Sequence, residues 1–351
     1  MRVVVTGHHG YIGSVLVPML LAAGHDVLGL DTFFFAGCDL GADPCRVAAL
    51  HKDVRDVTAA DLEGFDAVVH LAALSNDPLG NLNPRCTFDI NQHASVRLAR
   101  LSKAAGVARF LFSSSCSLYG MAGDEFLSED APFNPVTPYG ASKMGVEREV
   151  AALADERFSP VYLRNATAYG VSPRLRADLM VNNLVGYAYL TGEVLIRSDG
   201  TPWRPLVHVE DIAAAFLALL QAPREVVHNQ SFNVGRTDQN FRVREVAEMV
   251  REIVPGSTVT YAAGGGPDPR CYRVNADKLA RLVPAFQPRW TVRMGIEQLY
   301  DAYRAVGLPR EDFLKRYQRI ECIQRLLSDG ELDDSLRWKR RCNDGSAGSH
   351  R

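Results

Sequence analysis

Arg2-Val3-Val4-Val5-Thr6-Gly7-His8-His9-Gly10-Tyr11-Ile12-Gly13 runs from a β-branched stretch straight into three glycines spaced three apart. Five residues of that type read as a buried strand, and the glycines as the turn that leaves it. Apolar residues then recur at Val15, Leu16, Met19 and Leu20, a helical spacing, until Gly24 ends the pattern. Pro18 falls inside this helix, where a local kink and one missing backbone bond are expected. Strand, glycine turn and helix in that order form a cradle for a phosphate group. Glycine lets the backbone approach the anion closely, and the helix N-terminus offers unpaired N–H groups and a positive dipole end. The turn residues Gly7, Gly10, Tyr11, Ile12 and Gly13 are therefore the first candidate binding residues. The GxxGxxG spacing differs by one residue from the GxGxxG dinucleotide pattern, and on its own would fit a tight turn as well.

The strand–helix alternation continues outward. His25–Asp31, a short strand before Asp53, Asp66–Leu71, Arg109–Ser113, Val161–Leu163 and Ser231–Val234 read as further strands. Helical patterns lie near Ser95–Ala105, Tyr139–Ala154 and His208–Leu220. This rhythm implies right-handed crossovers and a doubly wound parallel sheet covered on both faces, of the Rossmann type. After Gly170 the rhythm loosens. The expected division is a dinucleotide-binding unit over 1–170, with 206–237 returning to it. A smaller, mostly C-terminal α/β substrate unit comes from 171–205 and 238–340. The Gly/Ser-rich end, 341–351, is expected to be a flexible tail. The 351 residues are 47% hydrophobic and 23% charged, a globular balance with room for two units. A formal net charge of −2 leaves no electrostatic footprint for nucleic acid or an anionic membrane, and neither is an expected partner. Seven scattered cysteines form no CxxC pair and no zinc-like spacing with histidine, so no metal is expected. No apolar run approaches the ~20 residues of a membrane helix, and Met1 leads directly into a strand without a signal-like segment. A cytoplasmic protein is expected.

Two further groups carry chemistry. Asp31 closes the second strand about twenty residues after the glycine turn, where a carboxylate accepts the ribose hydroxyls of NAD and repels the 2′-phosphate of NADP. Thr32-Phe33-Phe34-Phe35 follow with no arginine beside it, which favours NAD over NADP. Asp53, with Val54, follows the third strand and could meet the adenine. Farther on, Ser113-Ser114-Ser115-Cys116-Ser117-Leu118-Tyr119 leaves a strand end, and Pro138-Tyr139-Gly140-Ala141-Ser142-Lys143 opens a helix. Tyr139 and Lys143, four apart, share a helical face. An ammonium near a phenol is expected to lower the phenol's pKa toward the working range. The tyrosine then moves a proton at a sugar hydroxyl while hydride passes to or from nicotinamide.

With TGHHGYIG, the LD at 30–31, HLAA at 70–73, SSSCSLYG, YGASK, RPLVHVEDIA and FNVG in place, residues 1–305 resemble the extended short-chain dehydrogenase/reductase family. The resemblance is to its nucleotide-sugar epimerase/dehydratase branch. It implies Ser115, Tyr139 and Lys143 as the catalytic trio. Leu71, Ala72 and Ala73 would stand beside the cofactor, with Ser113, and Asn91 would support that side. It also implies a nucleotide-diphosphate sugar as substrate and a homodimer. Arg204 matches the arginine aimed at the diphosphate, and Arg270 is the best candidate for a second clamp. Asn182 and Asn183 match a phosphate-contacting asparagine, and Ser117 would face the sugar. Arg174 and Arg176 add charge as clamp or as solvated face. Thr167 stands where the family usually has asparagine. Dehydratases of the family resemble Thr-Asp-Glu where this chain has Ser115-Cys116-Ser117, so no carboxylate is available there for elimination or decarboxylation. The expected activity is NAD-dependent nucleotide-sugar epimerisation at C4 through a transient ketosugar. The alternative is a nucleotide-4-ketosugar reductase, with a dehydratase, a decarboxylase or a non-catalytic nucleotide binder behind it. His208 and Asp211 are expected to cap and pack. Phe313, Tyr317, Ile320 and Leu327 fit one helical stripe, so 311–338 is expected to pack on the substrate unit.

Overall fold

The computed structural model describes residues 1–41, 45–263, 266 and 270–339. The expected tail at 341–351 and most of the glycine-rich loop at 262–269 lie outside the described residues. Seven strands form one parallel sheet: β1 (Arg2–Thr6), β2 (Asp26–Asp31), β3 (Ala49–His51), β4 (Ala67–His70), β5 (Arg109–Ser115), β6 (Ser159–Asn165) and β7 (Gln230–Val234). Their order is β7-β6-β5-β4-β1-β2-β3, so the chain reverses direction across the sheet between β1 and β4. Ligands of such sheets sit outside the strand C-termini at that reversal.

β1 shows why the pattern works. Val3 and Val5 point to one face and join Leu16, Val17 and Leu20 of helix α1 (Gly13–Ala22) and Ile212, Ala213 and Phe216 of a later helix. Val4 points to the opposite face and packs with Val68, Phe110 and Leu98. A strand buried on both sides must be apolar throughout, and β1 is. α1 spans Pro18 without a break, with the ring exposed to solvent.

The other long helices are α2 (Ala94–Ala104), α3 (Pro138–Ala151), α4 (Met180–Thr191), α5 (Val209–Gln221), α6 (Val243–Ile253), α7 (Val292–Val306) and α8 (Arg319–Ser328). α5 belongs to the sheet, as its contacts with α1 show. α4, α6 and α7 build a second core around Val181, Leu184, Val246, Val250, Ile296 and Leu299. The smaller sheets flank the large one: 167–169, 203–208 and 240–242 form one, 193–196 pairs with 258–261, and 121–127 with 271–274. His208 caps α5 by accepting from the Glu210 amide at 3.2 Å, and Asp211 accepts from the amides of Arg289 and Trp290.

Two differences from the sequence reading bear on the site and its surroundings. β5 continues to Ser115 because Ser113, Ser114 and Ser115 pair in register with Leu163, Arg164 and Asn165 of β6. The single stripe expected over 311–338 is instead two helices, Arg310–Leu314 and α8, and it does not pack on one unit. Phe313, Tyr317 and Cys322 join the α4/α7 core, whereas Ile323, Leu326, Leu332 and Leu336 join the core beneath the sheet. The break at Gln318 rotates the second stripe toward the sheet.

Under β5 and β6 lies a buried ion pair. The Arg164 guanidinium donates to both Glu147 carboxylate oxygens, at 2.7 to 3.1 Å, and both side chains are 5% exposed. Arg164 also donates to the Tyr119 hydroxyl, the Glu129 carbonyl and the Ser231 hydroxyl. Removing one partner leaves the other charge buried and unmatched. Glu147→Gln is expected to lower the unfolding free energy by about 3–5 kcal/mol, measured as a lower urea midpoint at unchanged slope. Replacing both partners with apolar residues of similar volume should recover most of that loss.

Candidate active site

Above the β1/β4 reversal lies one continuous cleft of about 670 Å³. Gly7 starts its floor at φ +70, and a side chain there would stand 2.8 Å from the Ala72 amide nitrogen. Only glycine brings β1 and the exit of β4 that close. Gly13 likewise admits no Cβ, which would overlap the His8 carbonyl. α1 therefore begins directly on the cleft, with no side chain capping it and no acid in its first turn. An uncapped helix N-terminus on a glycine cradle suits an anion. Gly10, Tyr11 and Ile12 line the same floor, as do Leu71, Ala72 and Ala73 on the β4 side. The Asp31 carboxylate lines the cleft at the end of β2 and accepts from the amides of His9 (3.0 Å) and Phe33 (2.8 Å). Asp53 and Val54 line the far end, but the Asp53 carboxylate is taken up by the Arg55 guanidinium, at 2.7 and 3.0 Å. Arg55 in turn donates to the Ser335 and Leu336 carbonyls, which draws the C-terminal segment over this end.

The opposite end gathers Ser115, Tyr139 and Lys143, the trio expected from the sequence. Ser115, at the tip of β5, accepts from the Ser117 amide and donates to the Ser117 hydroxyl, both at 3.1 Å. Tyr139 stands in the first turn of α3, capped by Thr137, and its hydroxyl lies near enough to Ser115 for that hydroxyl to favour the phenolate. Lys143, one turn on, donates to the Ser113 carbonyl at 2.7 Å, with its Nζ 5.7 Å from the Tyr139 ring centre. The expected lowering of the Tyr139 pKa is corrected here. Burial pushes the phenol up to about 12, and the Ser115 hydroxyl relieves only part of this. Burial also pushes Lys143 down to about 7, against the pull of Glu147. The ammonium is half discharged near neutrality, so it cannot by itself hold the phenolate.

Asn165, which sequence reasoning passed over, lines the cleft next to Ser113. Its amide nitrogen donates to the Ser113 hydroxyl and the Ser114 carbonyl, while its Oδ1 is buried with no partner. That acceptor stands two residues before Thr167, which also lines the cleft. Asn182 does not reach the cleft. It is fully buried, accepts from the Gly170 amide and donates to the Arg176 carbonyl, while Asn183 faces the cavity. Asn91 also stands behind the wall, clamping the Leu74 amide and carbonyl. It sits in a single π-helical turn, 89–93, that precedes α2. Cys116 is fully buried and donates to the Arg164 carbonyl, so no thiol faces the sugar side.

Arg204 and Arg270 line one wall together, where Arg204 donates to the Arg270 carbonyl. Arg270 pairs with Asp77 at 2.6 Å. Tyr272 closes this corner and was not foreseen, because its strand reaches the site only by pairing with 121–127. Arg174 and Arg176 are not on a solvated face: both are buried, paired with Asp39 and Asp178. Among the described residues no group of three His, Cys, Asp or Glu side chains could hold a metal, and no helix is long and apolar enough to cross a membrane.

The model of the NAD-dependent epimerase/dehydratase family matches residues 3–235. The chain belongs to that family. Its curated relatives include UDP-glucose 4-epimerases of Corynebacterium glutamicum, 30% identical over 88% of this chain and 97% of the relative, and of Mycolicibacterium smegmatis, 31% identical over 87% and 99%. Among solved structures, MoeE5 in complex with UDP-glucuronic acid and NAD is similar at a TM-score of 0.76, 28% identity and coverage of 87% and 99%. The UDP-glucose 4-epimerase of Thermus thermophilus in complex with NAD follows at 0.74, 26%, and coverage of 87% and 99%. A dTDP-glucose 4,6-dehydratase of Streptomyces venezuelae is similar too, at 0.76, 25%, and coverage of 87% and 97%. This member of the family is an NAD-dependent nucleotide-sugar epimerase. The glycine cradle, Asp31 and the partnerless Asn165 acceptor fit its cofactor.

Lys143 gives a pH signature. Its pKa is lower folded than the ordinary 10.5, so between about 7 and 10.5 the unfolded chain binds the extra proton and stability rises with pH. Lys143→Met, which removes this penalty, is expected to be more stable than the parent at pH 7. The advantage should shrink as the pH approaches 10.5, in urea titrations at several pH values, and turnover should be lost.

Proposed function

We propose that the chain epimerises a uridine-diphosphate hexose at C4, with Tyr139 as the acid–base, Ser115 as the hydroxyl that orients it, and Lys143 as the group that tunes it. The observation that carries this reading is the state of the carboxylates lining the cleft. Asp31 accepts two amides, Asp53 is held by Arg55, Asp77 by Arg270 and Thr137, and Asp178 by Arg176 and Asn76. None stands free beside Tyr139 to take part in eliminating water or losing carbon dioxide. Among the described residues, the Ser115 and Ser117 hydroxyls and the Lys143 amine accompany the phenol at this end of the cleft, and proton transfer at one hydroxyl is the chemistry they support.

When bound, NAD supplies a hydride acceptor at the sugar carbon and a positive charge that favours the phenolate. Tyr139, relayed by Ser115, takes the hydroxyl proton as the C4–H bond gives up its hydride. The same phenol returns the proton as the ketosugar, its other face turned, regains the hydride at C4, so atoms and charge end as they began. Gly7, Gly10, Tyr11, Ile12 and Gly13 would hold the cofactor's phosphates, and Asp31 its ribose. Arg204 and Arg270, with Asn183 and Ser117, would hold the nucleotide sugar. The reading carries with it a cytoplasmic homodimer, as the family resemblance implies.

Tyr139→Phe should keep the fold and NAD affinity while lowering turnover at least ~10²-fold, the lower range for acid–base catalysis. Interconversion of UDP-glucose and UDP-galactose by the parent, without added NADH, is the assay; a requirement for stoichiometric NADH would instead favour the ketoreductase. Arg204→Ala should raise KM for the nucleotide sugar ~10–100-fold with little change in kcat, because a diphosphate remote from the reacting carbon binds alike in ground and transition states. Steady-state kinetics at saturating NAD will show which parameter moves.

A further inference from the structure

Arg319, at the start of α8, is 2% exposed and lines the cofactor cleft. Its Nη1 is buried with no hydrogen-bond partner at all. Its Nη2 reaches only the Arg174 carbonyl, at 3.5 Å. Among the described residues no carboxylate forms an ion pair with it. The nearest acid that acts on it, Asp178, is already held by Arg176 and Asn76. Arg176 adds a second positive charge nearby, and the guanidinium lies 4.0 Å over the Phe35 ring. A guanidinium in that setting is costly unless an anion arrives to answer it.

The cleft shows where that anion would lie. Arg319 borders the glycine-turn side: it acts on the Tyr11 phenol, rests on Phe35 and touches Arg174, whose own guanidinium donates to the His9 carbonyl. The uncapped end of α1 faces the same space. Arg204 and Arg270 stand on the other side, with Tyr272 and Ser117. A dinucleotide held by Asp31 at one end and reaching Tyr139 at the other would bring its diphosphate to the side of the cleft that the glycine turn, the end of α1 and Arg319 line. We propose that Arg319 is the cation that binds the diphosphate of NAD, supplied by a helix that lies outside the region shared with the family model, residues 3–235. The inference rests on the cofactor, not on the sugar or the carbon at which the enzyme acts.

The test uses the full chain stripped of nucleotide, with affinities for NAD, ADP-ribose, adenosine and UDP measured by calorimetry on the parent, Arg319→Met and Arg319→Lys. Arg319→Met should weaken NAD and ADP-ribose ~10–100-fold, leave adenosine and UDP within about twofold, and raise the melting temperature of the ligand-free protein. Arg319→Lys should fall between, since the charge remains and the forked geometry does not; it also serves if the methionine variant fails to fold. Unchanged NAD affinity in Arg319→Met would overturn the proposal, and would mean that the Cys38 sulfur, also beside Arg319, already answers the charge. Loss of UDP binding would assign Arg319 to the sugar nucleotide, and equal loss of adenosine would reduce it to a support for the wall. Failure of the C4 assay would leave these affinities, and hence this inference, standing.

Discussion

The buried pair of Arg164 and Glu147 holds the reaction end of this molecule in register. Arg164 belongs to β6 and Glu147 to α3, the helix that carries Tyr139 and Lys143. Ser114 of β5 also donates to Glu147, so one carboxylate joins two neighbouring strands and the helix lying over them. From the same guanidinium, contacts run to Tyr119, Glu129 and Ser231, reaching the small sheet and β7. A helix packed only by methyl groups could slide by a fraction of a turn. A forked, charged contact sets both its height and its rotation. Ser115 and Tyr139 meet because Glu147, two turns on from Tyr139, cannot move.

What the sequence disclosed and what it hid divide along a physical line. The glycine turn, Asp31, and the Tyr139/Lys143 spacing are local patterns, each legible within a dozen residues because backbone geometry or helical period dictates it. Ser113 to Ser117 were legible in kind, although the length of β5 emerged only from pairing with β6. Asn182 and Asn183 are adjacent letters that a helix sends to different surroundings, one into the core and one to the cleft. Asn165, Tyr272, Arg55 and Arg319 were missed, since each matters through a partner more than a hundred residues away or through the lack of one. The titration of Tyr139 was misjudged for a related reason. Sequence places a cation near the phenol, but only the packed structure shows that burial acts on both groups together.

Charge in the cleft is arranged by subtraction. Among the described residues four carboxylates line it, and each is engaged by an amide, an arginine or an asparagine. Cys116 is turned inward to a backbone carbonyl. What remains beside the phenol among the described residues is hydroxyl, amide and the Lys143 amine, which can shift one proton and hold one oxygen. Similarity to both epimerases and a dehydratase is then understandable: one scaffold hosts different chemistries, and the outcome lies in the site it carries.

Trp338 donates to the Thr32 carbonyl at 2.7 Å, and Ser335 and Leu336 present their carbonyls to Arg55. These contacts join positions about 280 to 306 residues apart in the chain. Closing so wide a loop gains nothing until both regions it connects are already ordered, so such contacts form late and with little help from local preference. The sheet and its glycine turn can thus assemble before residues 335–338 dock beside the end of β2. Docking of that segment is a late product of folding, completed when Leu332 and Leu336 enter the core beneath the sheet.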